Sequence, residues 1–296
     1  MSLTVSLYIM ALVALNIAGC WWLLVKTKNL KADEDASGKV NHSYDGIEEY
    51  NKPLPRWWLY LFYITIFFSI GYLVLYPGFG HLPGVLGWTQ TGQHAEEVKV
   101  AEEKVAPLYA GFLAKSVADL GNDQAALAVG SRLFGNNCAT CHGADAKGAP
   151  GFPNLTDADW IYGGEPETIK QTLTLGRQGM MPAFGATLDE PAQLAVRHYV
   201  LSLSGRDHDA QLAAQGKSSF DTVCAACHGM DGKGNKMLGA VNLTDDVWLY
   251  GGTHAAIADT IKNGRNGVMP AHGDLLGEAR IHVLTAYLLS LSADQK

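Results

Sequence analysis

Two stretches of the chain carry no charged residue, 3–25 (LTVSLYIMALVALNIAGCWWLLV) and 57–76 (WWLYLFYITIFFSIGYLVLY). An apolar helix of about 20 residues matches the hydrocarbon core of a bilayer. The pattern therefore predicts two transmembrane helices, 1–25 and 57–77, joined by a polar loop over 26–56. The first run lacks the basic leader and small-residue cleavage site of a signal peptide, and its apolar stretch is too long for one. Beyond residue 77 the pattern changes. Tyr76-Pro77-Gly78 opens a linker over 78–120 that holds a helical stretch at 94–116, with Pro107 interrupting it or starting a second helix. Short amphipathic segments then alternate with glycine-rich loops.

From about residue 122 the polar and apolar positions repeat. Gly130-x-x-x-Phe134 matches Gly216-x-x-x-Phe220, and Lys147-Gly148 matches Lys233-Gly234. Asn154-Leu-Thr-Asp157 matches Asn242-Leu-Thr-Asp245, and Trp160-Ile-Tyr162 matches Trp248-Leu-Tyr250. Gly176-Arg177-x-Gly179-x-Met181-Pro182-Ala183 matches Gly264-Arg265-x-Gly267-x-Met269-Pro270-Ala271. The offset is 86 residues before the loop that follows Lys-Gly and 88 after it, so the second copy carries a two-residue insertion. Two tandem domains of one fold are expected, 121–205 and 206–296. Each should cross its first and last helices at a small residue beside an aromatic contact: Gly130 and Phe134 against Tyr199, and Gly216 and Phe220 against Tyr287.

The repeat also places the chemistry. Cys138-Ala-Thr-Cys141-His142 and Cys224-Ala-Ala-Cys227-His228 are C-x-x-C-H motifs at corresponding positions. This is the attachment pattern of c-type haem: two thiols bond the porphyrin edge and the next histidine faces the iron. A zinc ribbon would bring its two cysteine pairs much closer together, and a thioredoxin-like pair would sit in a βαβ context. The fifth cysteine, Cys20, lies inside the first apolar run as a small hydrophobe. Met181 follows His142 by 39 residues and Met269 follows His228 by 41, each before Pro-Ala. They are the candidate sixth ligands; the neighbouring Met180 has Val268 as its counterpart, and Met237 has none. Each methionine is assigned to the haem of its own repeat, with exchange between repeats left open. His/Met ligation closes both axial positions, which suits electron transfer and leaves no site for substrate. His272, His198, His254 and His282 read as packing or surface residues, and His42, His81, His94 and His208 as loop residues.

Charge sets the topology. The 26–56 segment holds six basic residues, Lys26, Lys28, Lys31, Lys39, Lys52 and Arg56, and no Lys or Arg flanks the outer ends of the spans. The positive-inside rule makes that loop cytoplasmic and the haem domains periplasmic, in a bacterial inner membrane. The loop is neutral, so the part beyond residue 80 carries the whole net charge of −7. That argues against a nucleic-acid partner.

The loop ends in Tyr44-Asp45-Gly46-Ile47-Glu48-Glu49-Tyr50-Asn51-x-Pro53-Leu54-Pro55-Arg56-Trp57-Trp58. This stretch, with Tyr76-Pro77-Gly78, Gly87-Trp88 and the tandem haem motifs, resembles the CcoP (FixP) subunits of cbb3-type cytochrome c oxidases over essentially the whole chain. The resemblance implies an all-α protein with two N-terminal transmembrane helices and two tandem class I cytochrome c domains. It implies two covalent haem c groups that take electrons from a donor cytochrome c. They would pass them to the monohaem cytochrome c subunit, and so to the catalytic haem-copper subunit, of a proton-pumping complex in the lipid bilayer. The subunit would have no catalytic residue of its own. The competing readings are a free-standing dihaem carrier for another reductase, a dihaem peroxidase and a haem gas sensor.

Overall fold

The computed structural model describes residues 2–28, 39–50 and 55–293. The chain divides into two compact units, Met1–Lys104 and Val105–Lys296.

The first unit contains α1 (Leu3–Thr27), β1 (Lys39–Tyr44), β2 (Ile47–Tyr50) and α2 (Arg56–Leu75). Both helices are long and apolar enough to cross a membrane. Ser2 caps α1 by accepting from the Val5 N–H at 3.4 Å. Trp21 of α1 packs on Tyr63 and Phe67 of α2, with ring centroids 5.2 and 6.0 Å apart. Most other large side chains on both helices are apolar and exposed, a surface matched to lipid. One polar latch joins α1 to the segment beyond α2. Ser6, fully buried, accepts from the His81 backbone N–H at 2.9 Å, and its hydroxyl lies 2.7 Å from His81 Nδ1. His81, in the turn beyond α2 as expected of a loop residue, is thus tied to α1. Between the spans, β1 and β2 form an antiparallel hairpin. Asp45 and Gly46 both take positive φ, 49° and 81°, the two-residue turn that matches strand twist. The rest of the 26–56 loop, residues 29–38 and 51–54, lies outside the described residues.

In the second unit, the end of α3 (Gln90–Leu113) leads to α4 (Val117–Leu120), α5 (Gln124–Asn137) and α6 (Ala139–His142). Then come α7 (Pro166–Leu175), β3 (Arg177–Met181) and α8 (Glu190–Leu203). The second repeat follows with α9 (Ala210–Ser219), a π-helical turn over Phe220–Cys224, α10 (Ala225–His228), α11 (His254–Asn263), β4 (Arg265–Met269) and α12 (Gly273–Ala293), which kinks at Gly277. Pro107 lies inside α3 without ending it.

The repeats are tandem in sequence but exchange their last helices in space. The α12 helix of the second copy packs on α5 and α7 of the first, while α8 of the first packs on α9 and α11 of the second. One core joins Phe134, Cys138, Ile169 and Leu173 to Leu276, Ile281, Leu284 and Leu288. The other joins Val196, Val200 and Leu201 to Phe220, Ile257 and Ile261. The expected aromatic pairs are therefore corrected: Phe134 meets Tyr287 at 5.9 Å and Phe220 meets Tyr199 at 5.0 Å. The connector explains this. Only Ser204–Asp209 separates α8 from α9, and so short a link makes consecutive helices antiparallel neighbours. A third cluster, Phe112, Val117, Leu120 and Ala126 with Val283 and Ala286, seats α4 and the end of α3 against α12.

Asp209 starts α9 by accepting from the Gln211 and Leu212 N–H groups at 2.8 and 2.9 Å. Those two bonds, Leu212's first, hold its carboxyl below the usual carboxylate range. A depressed folded pKa stabilises above the unfolded value and loses that contribution as pH falls through the folded one. Asp209→Ala should therefore melt lower than the parent at neutral pH. In thermal melts carried down through the carboxylate range, the difference should disappear.

Candidate haem-binding sites

Each C-x-x-C-H motif is held by the same local devices. Phe134 and Phe220, four residues ahead of the first cysteines, are buried and fix the helix that delivers the motif. Cys138 and Cys224 point inward, and burial first, then the neighbouring cysteine, pushes each thiol up to about 11. Cys141 and Cys227 are exposed. The motif thus offers one inner and one outer thiol within a single helical turn.

The histidines are buried and oriented. His142 Nδ1 lies 2.9 Å from the Pro153 carbonyl and His228 Nδ1 2.9 Å from the Val241 carbonyl. A carbonyl only accepts, so Nδ1 carries the proton in both rings and Nε2 keeps its lone pair for a metal. Burial holds the His228 imidazole below its usual pKa, against the opposing bond to Val241, which favours the neutral ring that ligates. The repeated Asn-Leu-Thr-Asp places those carbonyls. Asn154 Oδ1 accepts from the Thr156 N–H and hydroxyl at 2.9 and 2.8 Å, and Asn242 does the same for Thr244 at 3.0 and 2.8 Å. The repeated Lys-Gly completes the loop. A Cβ on Gly148, at φ 74°, would collide with the Phe152 carbonyl oxygen, so only glycine lets the two sides of this loop approach.

The methionines lie on a shared ribbon. Strands β3 and β4 pair antiparallel with Gly179 opposite Gly267, Arg177 opposite Met269 and Met181 opposite Arg265. Alternate residues Arg177, Gly179, Met181, Arg265, Gly267 and Met269 face inward. Met180, on the other face, is 75% exposed, which supports the choice of Met181 over it. Beyond the ribbon each chain crosses to the other repeat: Phe184 N–H donates to the Ile261 carbonyl and His272 N–H to the Leu173 carbonyl, both at 2.9 Å. Met269 accordingly packs on the core that contains Cys138. Phe184, three residues after Met181, packs on the core that contains Cys224. The structure brings each motif together with the methionine segment of the opposite repeat.

The surroundings fit a haem. Trp160 packs with the Cys138 core and Trp248 with the Cys224 core, each an aromatic wall. Among the described residues Trp248 Nε1, Arg206 Nε and His272 Nδ1 are buried without a hydrogen-bond partner. The Arg206 guanidinium lies 5.3 Å over the Trp248 ring and reaches Asp246 at 3.6 Å. An unpaired donor beside the Cys224 core suits a propionate carboxylate. His282 is committed elsewhere, its Nε2 donating to the Lys115 carbonyl at 2.9 Å.

Two residue pairs escaped the motif reading. Arg177 stacks on Tyr162 at 4.7 Å and Arg265 on Tyr250 at 4.6 Å, on the same face of the ribbon as the methionines. Their signal was present in the repeated Gly-Arg before each Met-Pro.

Comparison with known proteins places the chain. The family described as cytochrome c oxidase, cbb3-type, subunit III matches residues 125–200 and 211–288, and the N-terminal domain of cytochrome oxidase-cbb3, FixP, matches 37–83. The CcoP subunit of a cbb3-type oxidase from Rubrivivax gelatinosus is 47% identical over 97% of this chain and 94% of its own. A FixP subunit from Azorhizobium caulinodans is 43% identical over 86% of this chain and 93% of its own. A CcoP subunit from Cereibacter sphaeroides is 40% identical over 86% and 95%.

Proposed function

The chain belongs to the CcoP (FixP) subunit family of cbb3-type cytochrome c oxidases, and from that premise we propose that it is a dihaem relay whose two iron sites are each assembled from both repeats. The first site takes Cys138, Cys141 and His142 with Met269; the second takes Cys224, Cys227 and His228 with Met181. The observation that carries this reading is Met269 packed on the core of Cys138. Each bound haem would supply an iron that changes by one electron between ferrous and ferric states.

The protein's own residues do the rest. The four cysteines would hold the groups through thioether bonds. The Pro153 and Val241 carbonyls hold the histidine tautomer, and His142 with Met269 and His228 with Met181 would ligate the irons. Sites held in that way would serve electron transfer rather than substrate chemistry, as the electron-transfer part of the oxidase. It would accept electrons from a donor cytochrome c and pass them to the monohaem subunit, which serves the haem-copper centre. The six Lys and Arg residues between the spans support a periplasmic position for both sites.

Extraction in mild detergent tests the assignment. The chain should migrate with b-type haem and copper in stable association. Migration alone would mark it as a free-standing carrier.

A further inference from the structure

The two sites are near copies, so a difference in charge on the methionine face of the ribbon would separate their potentials. Arg177 stands directly opposite Met269 on the ladder, and Arg265 directly opposite Met181. Directly opposed residues share a face with their Cβ atoms about 4.5–5.5 Å apart. A guanidinium is permanently charged. Both arginines are anchored alike: Nε donates to Thr172 Oγ1 or Thr260 Oγ1 at 2.9 Å, and the plane rests on Tyr162 or Tyr250. They differ in charge pairing. Arg265 pairs with the Asp259 carboxylate at 2.8 Å and also donates to the Ala256 carbonyl at 3.4 Å, while among the described residues Arg177 has no carboxylate partner and donates to the neutral Gln171 amide oxygen at 3.3 Å. Gln171 and Asp259 occupy the same repeat position, 88 residues apart. On α7 the other charges, Glu167 and Lys170, neutralise each other at 2.8 Å.

We infer that Arg177 and Arg265 are potential-setting residues, and that Gln171 in place of an acid makes the Cys138–His142 site the higher-potential one. An uncompensated cation beside an iron disfavours the ferric state, which carries one more positive charge; a cation paired with a carboxylate does so less. Asp259 is half exposed, so water weakens its compensation without removing it. An electron lost at the Cys224–His228 site is then gained at the Cys138–His142 site, with no bond made and no proton moved. The second repeat is thereby the entry side and the first the exit side. The inference rests on the His/Met relay reading of both sites.

Redox titration of the haem-loaded full chain, with Gln171→Asp and Asp259→Gln, tests it. Neither residue is one of the proposed haem ligands. Gln171→Asp should lower the higher of the two midpoints and leave the lower in place. Asp259→Gln should raise the lower midpoint and leave the higher. Each change should shift the electron distribution between the sites about three- to tenfold, tenfold being ~59 mV for one electron. The inference is overturned if Gln171→Asp moves the lower midpoint, or if neither substitution moves either. Absence of the methionine-to-iron charge-transfer band in the unmodified protein would instead overturn the relay reading itself. Melting temperature tracks a merely structural role and should stay nearly constant.

Discussion

A chain that ends after Gly205 is expected not to form a stable first cytochrome body, although it contains a complete C-x-x-C-H motif. The core around Cys138 draws Leu276, Ile281, Leu284 and Leu288 from α12, each at most 5% exposed. Burying such a side chain contributes about 1.5–3 kcal/mol, so losing four removes roughly 6–12 kcal/mol, comparable with the ~5–15 kcal/mol stability of a whole domain. The same truncation takes away Val283 and Ala286, on which Phe112, Val117 and Leu120 rest. The piece 105–205 alone should fail to hold a six-coordinate haem. Co-production with the piece 206–296 should restore it, because the lost helix returns in trans. A six-coordinate spectrum from the first piece alone would show that each repeat completes itself.

Gly216→Ala carries the second large effect. A Cβ there would stand 2.1 Å from the Ala195 carbonyl oxygen and 2.4 Å from its carbon, where α9 crosses α8. Those are backbone atoms of a buried helix and cannot rotate away. Overpacking of this kind sits at or beyond the top of the usual range, at least ~3 kcal/mol. Gly130→Ala meets chiefly the Tyr287 side chain, Cβ at 2.5 Å and Cγ at 3.0 Å, and tilting of that ring and its helix makes it milder. Denaturant unfolding should rank parent above Gly130→Ala above Gly216→Ala. Equal stability of all three would mean that the helices do not cross there.

Much of this was legible in the residues, and the limits have physical causes. The spans show as uncharged runs, and the attachment motifs and methionines stand out because the repeat presents each twice. The Asp45-Gly46 pair also announced a hairpin, which an all-helical reading passed over. What the residues could not decide was which copy completes which. Tyr199 and Tyr287 offer the same ring to Phe134 and Phe220, and Met181 and Met269 lie in almost identical segments. Composition is degenerate between those pairings, and connectivity breaks the tie. A short Ser204–Asp209 link folds α8 onto α9, and the β3–β4 ladder then carries each methionine across. The Gln171 and Asp259 difference was visible as letters but had no meaning until both were seen beside a stacked arginine.

The exchange also gives the ribbon a role that two separate domains would lack. Both candidate methionines belong to one short antiparallel pair with Gly179 and Gly267 at its centre. If each serves the site proposed for it, one ladder of backbone hydrogen bonds links the two sites.

The central claim is that Met269 completes the site built by Cys138, Cys141 and His142. Proton NMR of the fully reduced, diamagnetic haem protein tests it most directly, since the methyl group of a ligand methionine lies against the porphyrin and is moved far upfield by its ring current. The resonance that disappears in Met269→Ala should show cross-relaxation to the haem whose thioethers are Cys138 and Cys141. Cross-relaxation of that methyl to the haem on Cys224 and Cys227 would contradict the account.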